Sequence, residues 1–128
     1  MLAAAMVLAG LAALVHAYIF WLESVAWMRP STRRVFGIAS EDDARVTRAL
    51  AYNQGFYNLF LAVVAAVGIV LLATGATAAG AALVYAGCGS MVAAALVLIS
   101  GSRAYARAAA IQGTLPLLAV VALTVALI

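Results

Sequence analysis

The sequence predicts an all-α integral membrane protein, a bundle of four helices. Three observations carry that prediction. The 128 residues are 69% hydrophobic and only 9% charged, with a mean hydropathy of +1.19, whereas a soluble domain carries about a quarter charged residues. Four apolar stretches are each close to the roughly 20 residues needed to cross a bilayer as a helix. The arginines fall between those stretches in a strongly biased way. Four spans use nearly the whole chain, so residues 1–128 read as a single transmembrane domain.

The first helix covers about residues 2–28. It lacks a basic leader and its apolar run exceeds that of a signal peptide, so it reads as a retained span. Pro30 is expected to stop it, because proline has no amide hydrogen and disfavours helix in the residue before it. "SEDD" (Ser40 to Asp43) then reads as a helix start, with Ser40 as cap and acids at the positive helix end. Glu41 and Arg45 stand at the favourable i,i+4 spacing. The second helix therefore covers 41–73, becomes apolar near residue 50, and projects about two turns into water. A short uncharged turn, "TGATAAG", leads to a third helix over about 79–100. "SGSRAYAR" connects to the fourth, over about 104–128.

Arg29, Arg33, Arg34, Arg45 and Arg48 lie between spans 1 and 2, and Arg103 and Arg107 between spans 3 and 4. The second connection and both termini carry none. Positive-inside logic places connections 1 and 3 in the cytoplasm and both termini outside, in a bacterial inner membrane. A net charge of +3 would suggest nucleic acid in a soluble chain. Beside apolar runs the arginines report topology instead, and no nucleic-acid partner is expected. Cys88 lies in an apolar segment and has no second cysteine to pair with.

At about 100° per residue, Ala5, Ala9, Ala12, His16, Phe20, Glu23 and Trp27 share one arc of span 1. Val7, Leu11, Leu14, Tyr18, Leu22 and Val25 lie opposite. Membrane helices pack through small residues and turn bulky ones to lipid, so His16 and Glu23 are expected to point inward. On span 2, Gln54, Asn58, Leu61, Ala65 and Gly68 share an arc, with Asn53 and Tyr57 on its shoulder. Phe56, Phe60, Val63 and Val67 are expected to face away. Ala86, Ser90 and Ala94 read as a close-packing seam on span 3. On span 4, Tyr105, Gln112 and Pro116 lie on one side.

Glu23, Asn53, Gln54, Tyr57, Asn58, Tyr105 and Gln112 all belong to the cytoplasmic ends of their helices. His16 lies about 10 Å deeper than Glu23, and Arg48, Arg103 and Arg107 stand at the mouth. This predicts a polar pocket open to the cytoplasm. Glu23 and His16 are the candidate acid/base groups. Arg48, Asn53, Gln54, Tyr57, Asn58, Arg103, Tyr105, Arg107 and Gln112 are the candidate ligand contacts. Structural alternatives stand beside each: an ion pair of Glu23 with Arg48, Arg103 or Arg107, a structural hydrogen bond for His16, and interhelical bonding for the span 2 amides. Trp21, Trp27 and Tyr105 read as interface anchors. One histidine and one cysteine offer no metal-ligand set.

"HAYIFWLESVAW", "RRVF", "NQGFYNLFLA" and "IQGTLP" resemble a bacterial family of four-span membrane proteins classed as a domain of unknown function. The stretch "RRVFGI...ARVTRALAYNQGFYNLFLA", followed by "AYARAAA", is similar to the MAPEG family, membrane-associated proteins in eicosanoid and glutathione metabolism. That resemblance implies a trimer of four-helix subunits with glutathione bound between subunits near the cytoplasmic side. Arg45, Arg48, Tyr105 and Arg107 fall where that pattern has Arg, Arg, Tyr and Arg, and Asn53 matches with one residue inserted. No glutamate follows Asn53 at the family spacing, and Gln112 stands where the thiol-activating arginine is expected.

Three functions follow as expectations. The first is a MAPEG-like homo-oligomer, a trimer by resemblance, that is a binding protein or an enzyme for a small amphipathic or lipid-like ligand. The second is a small proton-coupled exporter of the multidrug type, since a span 1 carboxylate that trades a proton for a cation is a sufficient mechanism. The third is a structural membrane subunit without catalysis.

Overall fold

The computed structural model describes residues 1–128 and is all-helical. Helix α1 (Leu2–Phe20) runs on into a π-helical turn over Trp21–Val25. A short α2 (Pro30–Phe36) follows, then α3 (Glu41–Ala73), α4 (Thr77–Gly101), a 3-10 turn (Arg103–Tyr105) and α5 (Ala106–Leu127). Four helical segments are long and apolar enough to cross a membrane: Leu2–Val25, Glu41–Ala73, Thr77–Gly101 and Arg103–Leu127. These agree with the four expected spans, and the chain is a multi-pass membrane protein by length and composition of its helices.

The boundaries follow local chemistry. The first span ends at Val25, four residues before Arg29, so Pro30 does not stop it as expected. Pro30 instead opens α2 from the N1 position, where its missing amide hydrogen costs nothing, and Arg29 before it is extended (ψ 139°). Gly37 (φ 67°) ends α2, with Ile38 N–H donating to Arg33 O (2.9 Å) and Gly37 N–H to Arg34 O (3.3 Å). Gly75 (φ 89°) ends α3 with the same pair of bonds, from Ala76 to Leu71 (2.9 Å) and from Gly75 to Leu72 (3.3 Å). Both are Schellman caps, which need a left-handed residue. Ser40 caps α3 as expected: its Oγ accepts from Asp43 N–H (3.0 Å) and donates to Asp43 Oδ2 (2.7 Å). Arg45 donates to Glu41 at 2.6 Å, and that bond holds the Glu41 carboxyl below its ordinary range. This first turn lies outside the apolar part of the helix.

The chain divides into two compact units. The larger comprises residues 1–15 and 61–128. Its core draws on all four long helices: Ala5, Ala9 and Ala12 from α1, Ala62, Ala65 and Leu72 from α3, Val84, Cys88 and Met91 from α4, and Ala119 and Leu123 from α5. Small residues dominate, as expected where lipid supplies no hydrophobic drive and close van der Waals contact holds helices together. The tightest approach is between α3 and α4: a Cβ on Gly80 would lie 2.6 Å from Leu72 N, and one on Gly68 would lie 2.8 Å from Val84 N. The packed face of α4 therefore runs through Gly80, Val84, Gly87, Met91 and Ala95. Ala86, Ser90 and Ala94, the expected seam, are exposed. Alanine spacing pointed to the wrong stripe because glycine, which allows closer backbone contact, defines the other. Tyr85 and Thr124 share a hydrogen bond of 3.0 Å between α4 and α5.

The smaller unit, residues 16–60, holds the end of the first span, α2 and the first part of α3. Trp27, Ala44 and Ala51 form its core, with Met28, Phe36 and Ile38 packed against them.

Candidate functional site

In the smaller unit the last turn of span 1 is not an α-helix. Ala26 N–H donates to Trp21 O at 2.9 Å, an i to i+5 bond that widens the turn over Trp21–Val25. A π turn places one extra residue in the circuit and recurs at functional sites. Here it explains why the helical wheel fails locally. Leu22, expected to face lipid, is buried (6%), whereas Val25 stays exposed (63%).

Three polar side chains from this turn and the residues after it bond to α3. Ser24 Oγ donates to Tyr52 O (2.8 Å). Asn58 Nδ2 donates to Glu23 Oε2 (2.9 Å) and also approaches Gln54 O (3.2 Å). Trp27 Nε1 donates to Ala44 O (3.0 Å), and its ring packs against Phe36 with centroids 5.1 Å apart. Gly55 makes the contact possible. A Cβ there would collide with Ser24 Oγ and lie 3.1 Å from both Glu23 Cβ and Phe20 O. Beside this contact, Phe56 packs edge-on to Phe20 (5.1 Å) and against Tyr52 (5.0 Å).

Glu23 is half-buried and its hydrogen-bond partner is the neutral amide of Asn58. The sequence left open an ion pair with an arginine. The chain's ion pair is instead Glu41 with Arg45, on the exposed start of α3. A carboxylate accepts at about four lone-pair sites, so one amide leaves Glu23 with acceptor capacity to spare. His16 is fully buried (1%).

The remaining candidates separate by place. Asn58 is half-buried, but Arg48, Asn53, Gln54 and Tyr57 are exposed on α3. The packed face of α3 in this unit runs through Ala44, Ala51 and Gly55. Of the expected arc, Gln54 lies outside it, Asn58 reaches Glu23, and in the larger unit Leu61, Ala65 and Gly68 pack inward as expected. Phe56, expected to face away, packs on Phe20. Trp27, read as an interface anchor, is buried and hydrogen-bonded, while Trp21 remains exposed (37%) with Arg29 stacked 5.1 Å from its ring. In the larger unit, Arg103, Tyr105 and Arg107 are exposed around the 3-10 turn, and Gln112 is half-buried on α5. No three His, Cys, Asp or Glu side chains gather into a metal-ligand set. Of the named candidates, Glu23 and Asn58 are in direct contact.

Sequence reasoning missed Ser24 and Gly55. The signal was present: a glycine inside the polar run "NQGFYN" marks a close approach by another backbone.

The model of one family, described as "Protein of unknown function (DUF1304)", matches residues 10–124. The chain belongs to that family. The DUF1304 match takes in the π turn and every candidate site residue from His16 to Gln112. No curated protein and no solved structure matches the chain significantly.

Proposed function

We propose that the chain is a membrane-embedded ligand-binding protein in which Glu23, presented by the π turn and held by Asn58, is the polar recognition group for a small amphipathic or lipid-like molecule. One observation carries this reading: a carboxylate inside an apolar span is bonded to a neutral amide and has no cation beside it. Ionisable groups within membrane spans are costly and mark substrate or ion pathways by default.

The resemblance to MAPEG proteins extends the proposal to a homo-oligomer, a trimer by that likeness, with the ligand between subunits on the cytoplasmic side of a bacterial inner membrane. The exposure of Arg48, Asn53, Gln54 and Tyr57, all in the unit that holds Glu23, supports a ligand met at the surface of each subunit. Gln112 in place of the thiol-activating arginine weighs against glutathione as a reacting cofactor, since thiolate stabilisation needs a nearby positive charge. Native mass spectrometry from mild detergent tests the reading. A trimer retaining a small molecule that Glu23→Gln and Asn58→Ala each release supports it. A monomer without ligand, or retention unaffected by both variants, refutes it.

The uncompensated carboxylate also favours a second reading, proton-coupled export. Uptake of an organic cation into proteoliposomes driven by a pH gradient, abolished in Glu23→Gln, would select it. The position of Glu23 at the end of its span, rather than at the midplane where transporter sites lie, weighs against it.

A further inference from the structure

The larger unit carries a second feature, independent of Glu23. Between the last third of α4 and the first half of α5 runs an open groove of about 230 Å³. Leu96 and Ile99 form one wall, and Ala106, Ala110 and Leu117 the other. At its floor Gly113 brings the helices together, since a Cβ there would lie 2.7 Å from Ala95 Cβ. Thr114 is the one polar residue in the lining. Its hydroxyl donates to Ala110 O (2.7 Å), so the wall offers no polar group in need of a partner.

The ends of this groove differ. From Ala106 to Leu117 it follows eleven residue steps, about 16 Å at 1.5 Å per residue, which is half of a hydrocarbon core about 30 Å thick. At its α4–α5 connection end stand Arg103, in the 3-10 turn, and Arg107, seven residues before Thr114. Seven residues are close to two turns, so Arg107 stands above the groove lining. Both arginines are exposed, and neither has an acidic partner. A one-leaflet apolar groove with two unpaired cations at its aqueous end matches a lipid with an anionic headgroup. Basic pockets of this kind between transmembrane helices bind such headgroups.

We propose that the α4–α5 groove is a binding site for one anionic phospholipid, with an acyl chain along Leu96, Ala110 and Leu117 and the headgroup phosphate at Arg103 and Arg107. This gives those arginines a different ligand from the one the MAPEG resemblance implies. It does not rest on the Glu23 reading, so Glu23→Gln leaves it unchanged.

Native mass spectrometry with added phosphatidylglycerol or phosphatidylcholine tests it on the full chain. Retention of phosphatidylglycerol should exceed that of phosphatidylcholine by on the order of 25-fold, about fivefold for each arginine at the roughly 1 kcal/mol a surface arginine contributes toward anionic lipid. Arg103→Gln with Arg107→Gln should abolish the preference. Arg33→Gln with Arg34→Gln should keep it, separating a built site from general surface charge. Ala110→Leu, an exposed position whose larger side chain fills the groove without entering the core, should lower retention of both lipids. Millimolar inorganic phosphate should not displace the lipid, since the groove and not the phosphate alone holds it. Circular dichroism checks that each variant keeps its helices. Equal retention of the two lipids, a preference that survives loss of both arginines, or displacement by phosphate overturns the proposal. A subunit assembly broken by Ala110→Leu, with lipid retention unchanged, assigns the groove to a second copy and overturns it equally.

Discussion

Gly55→Ala tests whether the π turn and α3 are in the contact described. The new methyl group collides with Ser24 Oγ and lies 3.1 Å from Glu23 Cβ and Phe20 O. Overpacking of this kind costs about 1–3 kcal/mol. Moving Ser24 aside also breaks its 2.8 Å bond to Tyr52 O, worth about 0.6 kcal/mol in a membrane protein. Against these, alanine is the better helix former by about 1 kcal/mol. The net expectation is a loss of roughly 0.5–2.5 kcal/mol. The diagnostic variant is Gly55→Ala with Ser24→Ala, which removes the colliding oxygen and leaves the 3.1 Å contacts. The pair should be more stable than the sum of the singles, by a coupling of about 1 kcal/mol or more, within the range seen for touching residues. Unfolding in mild detergent titrated with dodecyl sulfate, followed by tryptophan fluorescence, reads the cycle. If Gly55→Ala matches or exceeds the parent, or if the two substitutions simply add, the contact is not as described.

Other outcomes follow from the same structure. Glu23→Leu removes the 2.9 Å acceptor of Asn58 but leaves its bond to Gln54 O, so it should cost about 0.6 kcal/mol, the worth of one interhelical bond. Glu23→Leu with Asn58→Leu should recover much of that in the same unfolding assay. Ser90→Leu, on the exposed face of α4, should leave the monomer's stability unchanged within about 0.5 kcal/mol. Gly87→Leu should disrupt it, because even a Cβ there lies 3.0 Å from Ala65 N. Ser40→Ala should lose about 1 kcal/mol of cap stabilisation, read as faster amide exchange over residues 41–47. Because Arg45 holds the folded Glu41 carboxyl below its ordinary range, that pair supports the helix start fully above the ordinary carboxyl range. The support fades as pH falls through the lowered value. Glu41→Gln should therefore flatten the acid-side change in amide exchange of the same turn.

Much of the fold was legible because membrane helices advertise themselves through apolar length, and the caps at Ser40 and the Glu41–Arg45 pair are local patterns. Packing was less legible. Ala5, Ala9 and Ala12 were placed inward correctly by a plain wheel, since α1 is regular there and all three are buried. The wheel held over most of α3, where Asn58 reaches Glu23, Ala65 and Gly68 are buried, and Phe60, Val63 and Val67 are exposed. It failed at Gln54 and Phe56, and on α4, for a physical reason. Where side chains are mostly alanine and valine, residue type ranks faces weakly, and the glycines at 55, 68, 80 and 87 decide which backbones meet. Gly55, set between Gln54 and Phe56, puts the polar Gln54 outside and draws Phe56 toward Phe20.

The site shows the same limit in sharper form. No composition rule predicts a π turn, and an ideal 100° step carried through residues 21–25 assigns Leu22 to the wrong side. Glu23 was singled out because it is an acid in an apolar run, a judgement of cost that does not depend on helix geometry. Its partner does depend on that geometry. The sequence offered seven arginines as candidates, yet the turn delivers the carboxylate to Asn58, one helical turn beyond Gly55 on α3. A close glycine contact and an adjacent amide are what a backbone-defined site needs. An arginine would require room for a long side chain at a place where the helices leave none for a methyl group. The neutral partner is thus a consequence of how tightly the two segments meet, and it leaves the carboxylate with acceptor capacity to spare.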